Sequence, residues 1–324
     1  MKIATALLAV AALAATSVAA HAQAAYPTQA VRVIVPFAAG GPIDAVGRPV
    51  LDRLQRTLGQ PFVMDFRAGG ATIVGTGAVA RADPDGYTLL FTAAQHTINP
   101  SVHAKLPYDT LTEFAAVSQV ATGPLMLVVS PNVNAKNLSE LIALAKSTPR
   151  KLNYASAGVG SGFHLAAEML KVAAGIDIVH VPYKGGAPAA NDLVAGHVDL
   201  MIGSSIVAPL VRENRLRLLG VTSLQRTDLM PGVPTVAEQG LPGFEAMTWF
   251  GILAPAKTPK PIVDRLSREI QAITKDPEYV AHLRKFVLEP GATTPEGFDA
   301  VVKREVPQWI KVAKEAKIVP AAEK

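Results

Sequence analysis

Residues 31–58 read VRVIVPFAAGGPIDAVGRPVLDRLQRTL, and the architecture of the chain can be built outward from them. The first five residues are mostly β-branched and predict a short, buried strand. The segment 36–41 is a turn of small residues. Pro42 then begins a predicted helix that ends at Leu58, before Gly59 and Pro61. A strand, a glycine-rich turn and a helix in this order form the first half of a βαβ unit.

Strand and helix signals alternate along the rest of the chain, in two series separated at Gly123-Pro124. Predicted strands lie at 62–65, 88–92, 125–129, 153–155, 178–181, 200–203, 216–221 and 250–254, with helices at 73–81, around 138–145 and from Phe163. The chain after 254 is mostly helical. This alternation predicts an α/β protein with mainly parallel sheets that helices cover on both faces.

Length and composition limit the possible classes of protein. A chain of 324 residues, 49% of them hydrophobic, is large enough for about two domains. The sequence contains no cysteine, which excludes disulfides, thiolate metal sites and a lipid-anchored cysteine. The basic residues are scattered rather than clustered, so we expect no nucleic-acid partner.

The amino terminus has the pattern of a secretory signal peptide. Met1-Lys2 is followed by an apolar run to about Ala20, and small residues at A-x-A spacing then allow signal peptidase to cleave after Ala22 or after Ala24. The run is too short for a membrane-spanning helix. We therefore expect residues 1–24 to be removed and the mature protein to be soluble outside the cytoplasm. Loss of Lys2 leaves 30 basic and 26 acidic residues, a formal charge of +4 that favours anionic solutes.

Two stretches combine a strand end, a glycine-rich turn and a helix start. They are Pro36-Phe37-Ala38-Ala39-Gly40-Gly41-Pro42-Ile43-Asp44 and Ser156-Ala157-Gly158-Val159-Gly160-Ser161-Gly162-Phe163-His164. Small residues let a ligand approach the backbone, and free N–H groups at a helix start favour negative charge. One such loop in each series suggests a two-sided clamp. The alternative is that each loop is only a tight connection.

The same loops fail the spacing tests for three enzyme classes. Phe163 stands where a dinucleotide-binding loop needs its third glycine, and no phosphate-binding loop ending in Gly-Lys-Ser/Thr is present. A nucleophile elbow needs glycine two residues before its serine, but Val159 precedes Ser161 and Tyr154 precedes Ser156. A secreted hydrolase remains the competing class, without an identified nucleophile and base.

Several polar residues beside the loops are candidates for ligand contact. His164 and Glu168 are one helical turn apart, which alone is weak evidence for a metal, so we expect no metal site. His164 is expected to donate either to a ligand or to its own loop. Asp44 is expected to pair with Arg48 and to orient the loop or a water, because it would repel a carboxylate.

Two further residues could either contact the ligand or have an ordinary structural role. Lys184 lies in a third loop, Tyr183-Lys184-Gly185-Gly186, and could supply a cation, although a lone exposed lysine is more common. Asp199 precedes a predicted strand and is either a ligand residue or a turn residue.

An ordered set of short motifs resembles a known family. The motifs are Pro36–Gly41 with Asp44, Arg67–Gly70, Pro84–Leu90, Ile98–Pro100, Lys105–Asp109, Tyr154–Ser156 with Gly158, Ser161 and His164, and Val181–Gly186. Together they resemble the Bug-type (TctC-like) receptors of tripartite tricarboxylate transporters, over about residues 26–318. Each motif is weak by itself, and the ordered set is specific.

The resemblance implies a type II periplasmic-binding-protein fold, with two α/β lobes joined by a two-stranded hinge. Lobe 1 would comprise residues 25–123 and 250–324, and lobe 2 residues 124–249. It implies a periplasmic protein, expected to be monomeric, that binds a small mono-, di- or tricarboxylate without a cofactor or any catalysis. The lobes would close on the ligand and present it to the membrane components of the transporter. A role as a ligand sensor for a signalling partner stays open.

The residues that we expect to bind the carboxylate come from both loops and their surroundings. They are Phe37, Ala38, Ala39, Gly40, Gly41, Asp44, Gln95, Ser156, Gly158, Ser161, His164, Lys184 and Asp199.

The chain departs from the usual family pattern at three places. Ala38-Ala39 replace the proline or other residues that are frequent there, which leaves the identity of the ligand open. Gly47 stands where alanine usually precedes Arg48, and His103 stands where tyrosine is frequent. We expect these two changes to affect packing only.

Overall fold

The computed structural model of the protein describes residues 26–149 and 151–318, so the predicted leader lies outside the described residues. The strands are β1 Val31–Val35, β2 Phe62–Phe66, β3 Thr88–Ala93, β4 Phe114–Pro124, β5 Met126–Val129, β6 Asn153–Ser156, β7 Val179–Pro182, β8 Leu200–Gly203, β9 Arg217–Val221, β10 Met247–Pro255 and β11 Glu289–Pro290. The α-helices are α1 Pro42–Leu58, α2 Ile73–Ala80, α3 Gln95–Val102, α4 Leu138–Ser147, α5 Gly162–Ala174, α6 Gly186–Ala195, α7 Ala208–Arg212, α8 Lys260–Ile273, α9 Pro277–Arg284 and α10 Pro295–Glu315.

The strands form two mixed sheets, in the orders β11-β4-β10-β3-β1-β2 and β7-β6-β8-β5-β9. In the first sheet β1 lies parallel to β2 and β3, whereas β10 runs antiparallel to β3 and β4. In the second sheet β6 lies parallel to β7 and β8, whereas β5 runs antiparallel to β8 and β9. The prediction of an α/β fold is confirmed, but the sheets are parallel only beside the two glycine-rich loops.

The chain passes between the two sheets twice. β4 ends at Pro124 and continues through Leu125 into β5, and the chain returns to the first sheet in β10. β4 and β10 pair antiparallel along the whole of β4, from Phe114 opposite Pro255 to Pro124 opposite Met247. This reversal of direction makes the sheets mixed, and it forms the two-stranded connection that the resemblance implied.

β4 was not predicted from the sequence because polar residues interrupt its apolar pattern. Ser118 and Gln119 are buried in the middle of the strand. The Ser118 hydroxyl donates to the carbonyl of Thr293 at 2.7 Å, and the Gln119 N–H donates to the Thr293 hydroxyl at 2.9 Å. These partners satisfy the buried polar groups, but Thr293 lies 175 positions from Ser118 and leaves no local signal.

Each sheet has its own apolar core, and the last helix contributes to both. Around the first sheet, buried side chains of β1 and β3 pack against those of α1 and α8. Around the second sheet, buried side chains of β5, β6 and β8 pack against α4 and α5. The first turns of α10 place Phe298 beside Trp249 of β10, while Trp309 and Val312 near its end lie in the core of the second sheet.

The direction of the parallel strands decides where the functional loops lie. Because β1, β2 and β3 are parallel, the segments that follow them all leave the first sheet at one edge. The segments after β6, β7 and β8 likewise leave the second sheet at one edge. Such carboxyl-terminal edges are the places where open α/β sheets bind ligands.

Replacing Gly47 with alanine is expected to destabilise the protein, although alanine normally favours a helix interior. Gly47 lies inside α1, and a Cβ atom there would be 2.3 Å from Phe91 Cε1 and 2.7 Å from Met64 Cε. Overpacking of this kind costs about 1–3 kcal/mol, more than the roughly 1 kcal/mol that alanine gains over glycine in a helix. Urea denaturation should therefore show a net loss of about 1 kcal/mol.

The background variant Phe91→Leu provides the control for this prediction. With the Phe91 ring removed, Gly47→Ala should lose most of its cost, because the flexible end of Met64 can move aside. Equal costs in the two backgrounds would show that the steric explanation is wrong.

Candidate ligand-binding site

Loop 1 comprises residues 36–41, between β1 and α1. Ala38, Ala39 and Gly40 are exposed, and the Phe37 ring packs partly against the first core. Gly40 has a φ of 82°, a conformation that favours glycine. Its N–H donates to Asp44 Oδ2 at 3.0 Å, so Asp44 holds the loop from the first turn of the helix.

Asp44 is paired as the sequence predicted. Its Oδ1 lies 2.7 Å from Arg48 Nε, one helical turn along α1, and its side chain is largely buried. The Arg48 guanidinium neutralises the carboxylate that would otherwise repel an anion at loop 1. The structure thus brings Asp44 to the site as a support for the loop.

Loop 1 offers backbone donors to a ligand. Within residues 26–149 and 151–318 we find no acceptor for the N–H groups of Ala38, Ala39 and Gly41. Gly41 is the N-cap of α1 and supplies no side-chain cap. Unpaired N–H groups at the positive end of a helix dipole favour an anion.

Loop 2 comprises residues 157–161, between β6 and α5, and it is more extensively bonded than the sequence suggested. The Gly158 N–H donates to Ser156 Oγ at 3.1 Å, and the Ser161 N–H donates to the carbonyl of Gly158 at 3.1 Å. The Ser161 hydroxyl accepts from the N–H of His164 and donates to the carbonyl of Gly158. Ser156, at the end of β6, and Ser161 therefore fix the shape of loop 2.

The expectation of a helix start with free N–H groups is consequently met only in part at loop 2. The Gly160 N–H donates to His164 Nδ1 at 3.2 Å. In the described part of the chain, the N–H groups of Ala157, Val159 and Gly162 find no acceptor. Val159 itself is 69% exposed.

His164 accepts a hydrogen bond from its loop, whereas the sequence analysis expected it to donate one. A ring that accepts through Nδ1 carries its proton on Nε2, so His164 is neutral. Burial lowers its pKa, while Glu168 acts in the opposite direction and Lys171 in the same one. Glu168 Oε1 is engaged by Lys171 Nζ at 2.8 Å and by the Tyr154 hydroxyl, which argues against a metal-ligand role with His164.

The two edges meet at Gln95, the first residue of α3. Its Nε2 donates to the carbonyl of Gly160 in loop 2 at 3.1 Å and to Asn99 Oδ1 at 2.8 Å. A Cβ atom on Gly160 would lie 3.1 Å from Val102 Cγ2, so loop 2 rests directly on α3. Since α3 follows β3, this bond joins the carboxyl-terminal edge of one sheet to that of the other.

Asn99 connects the remaining loop of the first edge, and the sequence analysis did not assign it a role. Its Nδ2 donates to the carbonyl of Ala71 and to Thr72 Oγ1, both at 3.0 Å. The turn after β2 is thereby tied to α3 and, through Gln95, to loop 2. The motif Ile98-Asn99-Pro100 was noticed in the sequence, but α3 itself was not predicted because it is short and contains Pro100.

Lys184 and Asp199 lie in different places. Lys184 is exposed in the segment after β7, at the same edge as loop 2. Asp199 precedes β8 at the opposite edge, where its Oδ2 accepts from the Asn153 N–H at 2.8 Å and its N–H donates to Asn153 Oδ1 at 3.0 Å. The structure does not bring Asp199 together with the loops, and its contacts are those of a turn residue.

Two negative findings apply to the described residues. No group of three or more histidine, aspartate or glutamate side chains there is arranged to hold a metal ion. None of the helices within residues 26–149 and 151–318 has the length and apolar character needed to cross a bilayer.

Comparisons with known proteins agree on one family. A family model described as the tripartite tricarboxylate transporter family receptor matches residues 46–318. BugT of Bordetella pertussis is 35% identical over 293 residues, covering 90% of this chain and 90% of BugT. The structure of Rpa4515 from R. palustris with adipate has a TM-score of 0.81 at 34% identity, covering 91% of this chain and 100% of that one. MatC from Rhodopseudomonas palustris with bound malate has a TM-score of 0.77 at 31% identity, covering 89% and 100%.

Proposed function

Because the chain belongs to the tripartite tricarboxylate transporter receptor family, whose members are solute-binding receptors and not enzymes, we propose that it captures a small carboxylate between loop 1 and loop 2. It then delivers this solute, in the periplasm, to the membrane components of a tripartite tricarboxylate-type transporter. The receptor acts as a monomer. Its ligand belongs to the class that includes the adipate of Rpa4515 and the malate of MatC.

The observation that carries this proposal is the hydrogen bond between Gln95 Nε2 and the carbonyl of Gly160, at 3.1 Å. It supports an arrangement in which the loops of both sheets border one cleft. A ligand in that cleft is reached by backbone donors from both sides. Loop 1 contributes the N–H groups of Ala38, Ala39 and Gly41, loop 2 contributes that of Val159, and the first residue of α5 contributes that of Gly162.

Backbone donors of this kind select a carboxylate over a neutral solute. Each helix amino terminus contributes about 0.3–1 kcal/mol to an anion at an exposed position, and more where the site is partly buried. Hydrogen bonds to an ionised acceptor are about twice as strong as those between neutral groups. The proposed ligand set is the predicted one without Asp199, with Asp44, Ser156, Ser161 and His164 acting as supports of the loops.

We divide the chain into lobe 1, residues 25–123 and 250–324, and lobe 2, residues 124–249. The two sheets and the paired strands β4 and β10 support this division. Rotation about these strands would open the cleft to admit the ligand and close it afterwards. The closed shape is the one that the membrane components recognise.

The proposal predicts that carboxylates raise the melting temperature of the purified protein and that matched neutral compounds do not. A ligand that binds only the folded state, at about 100 times its Kd, stabilises that state by about 2.7 kcal/mol. Malate, adipate and aromatic carboxylates are tested by thermal shift beside adipamide, which has the length of adipate without its charge. Calorimetry then gives the Kd of each compound that raises the melting temperature.

The variant His164→Ala tests the site, with His197→Ala as its control. Loss of the acceptor of the Gly160 N–H should weaken carboxylate binding about tenfold, the factor that corresponds to about 1.4 kcal/mol. The His197 side chain is 70% exposed and should be silent. Equal stabilisation by adipate and adipamide, or no stabilisation by any carboxylate, would refute the proposed function.

A further inference from the structure

Three aromatic rings form a stack between the second sheet and the first turns of α5. Tyr154 of β6 and His180 of β7 are directly paired in the parallel register, so their side chains share one face of the sheet. Their ring centroids are 4.8 Å apart with planes at 17°, and those of His180 and His164 are 4.1 Å apart at 19°. His180 is thus the middle ring of the stack.

His180 contacts one anchor of loop 2 through its ring nitrogen. Its Nε2 lies 2.7 Å from Ser156 Oγ, and the same Oγ accepts the N–H of Gly158 at 3.1 Å. The Ser156 hydroxyl can donate to His180 or accept from it, depending on the tautomer. In both cases the hydrogen bond holds Oγ where it receives the Gly158 N–H.

His180 contacts the other anchor through its ring face. His164 Nδ1 accepts the N–H of Gly160, and the His180 ring lies flat against the His164 ring. The far side of the stack is closed by Tyr154, whose hydroxyl donates to Glu168 and whose ring faces Lys171 Nζ at 5.8 Å from its centre. The position of His180 between Tyr154 and His164 is therefore fixed from both sides.

We propose that His180 is the positioning residue of loop 2. It fixes the Gly158 amide through Ser156 and the Gly160 amide through His164, and so sets the backbone on either side of Val159. That loop 2 binds a carboxylate rests on the proposed function, whereas the contacts that position the loop do not. His180 touches neither amide, and it lies on an edge strand where it is only partly buried, so filling the core is not its main role.

Two substitutions separate the two contacts of His180. Phenylalanine keeps a flat ring against His164 but has no nitrogen for Ser156, whereas glutamine keeps a polar group for Ser156 but has no ring. In His180→Phe, amide hydrogen exchange at Gly158 should rise about fivefold, the factor that one hydrogen bond of about 1 kcal/mol is worth, with a smaller rise at Gly160. In His180→Gln the order should be reversed.

The exchange rates are measured by NMR on the whole protein without any carboxylate. The outcome is therefore independent of the binding assays, and failure here would leave the proposed function untouched. Amides of β1 in the same sample report any loss of global stability, and His197→Phe is the control for removing a histidine from the same half of the molecule.

The opposite patterns of the two variants are the result that supports the proposal. The proposal is overturned if both amides respond equally in both variants, or if neither variant changes either amide. If His180→Phe does not fold, His180→Gln decides alone: a rise at Gly160 that exceeds the rise at Gly158 supports the assignment, and any other pattern overturns it.

Discussion

Replacing Trp249 with alanine is expected to lower the free energy of unfolding by about 4 kcal/mol, the middle of the range for removing a buried aromatic side chain. Trp249 is 1% exposed and lies on β10, one of the two strands that connect the sheets. Its ring meets the edge of Phe298 with centroids 5.1 Å apart. The variant would therefore leave a cavity where β10 and the last helix meet.

The indole of Trp249 also donates a hydrogen bond to the buried carboxyl group of Glu305. Its Nε1 donates to Glu305 Oε2 at 2.9 Å, and the Thr97 hydroxyl donates to the same oxygen at 2.7 Å. Burial raises the pKa of Glu305, and these two donors partly oppose that effect. Losing the indole donor leaves a buried acceptor short of a partner, at a cost of about 1–3 kcal/mol.

The variant Trp249→Phe separates the two contributions. It keeps most of the ring volume and loses the N–H, so it should lose about 1–3 kcal/mol. Urea denaturation followed by circular dichroism measures both variants, since Trp249 would itself contribute to the fluorescence. A loss below about 2 kcal/mol for Trp249→Ala, or a Phe variant as stable as the wild type, would contradict the role given to this residue.

Stability should also fall in mild acid, and His96 is one cause of this loss. This residue is fully buried on α3, with the Phe114 ring 4.9 Å away in an edge contact, and neither ring nitrogen has a partner among the described residues. Burial lowers the pKa of His96 from 6.5 to about 4. Below pH 6.5 the unfolded chain therefore binds a proton that the folded protein does not. Stability is lost as the pH falls from about 6.5 to about 4, at up to about 1.4 kcal/mol per pH unit.

The variant His96→Phe removes this titration and the unpaired nitrogens. It should be more stable than the wild type by about 1 kcal/mol at pH 7 and by about 3 kcal/mol at pH 4.5, as measured by urea denaturation. His180, whose pKa is also lowered to about 4, remains in both proteins, so the difference reports His96. His197→Phe provides the surface control. A constant difference across this pH range would show that His96 does not cause the acid sensitivity.

Local signals predicted the first half of each lobe well. The helix Pro42–Leu58 has the predicted bounds because Pro42 begins it and Gly59, with a φ of 72°, ends it. The loops after β1 and β6 lie at carboxyl-terminal strand edges, as the strand-turn-helix order indicated. Those features depend on residues close together in the chain.

The features that the sequence did not predict depend on contacts between residues that are distant in the chain. His180 sits beside Ser156 only because β7 pairs with β6 in one register, which the sequence does not display. Gln95 reaches Gly160 only because the two sheet edges face each other. The hydrogen bonds inside loop 2 could not be predicted from the sequence either, because they depend on the positive φ angles that Gly158 and Gly160 adopt.

The last helix sets a limit on how far the receptor can swing open. Its early turns belong to one core and Trp309, 3% exposed, belongs to the other, so a wide separation of the sheets would expose the buried aromatic side chain at one end of this helix, Phe298 or Trp309. Uncovering about 200 Å² of aromatic surface costs about 5 kcal/mol. We therefore expect the empty receptor to make mainly small-amplitude openings about the paired strands β4 and β10.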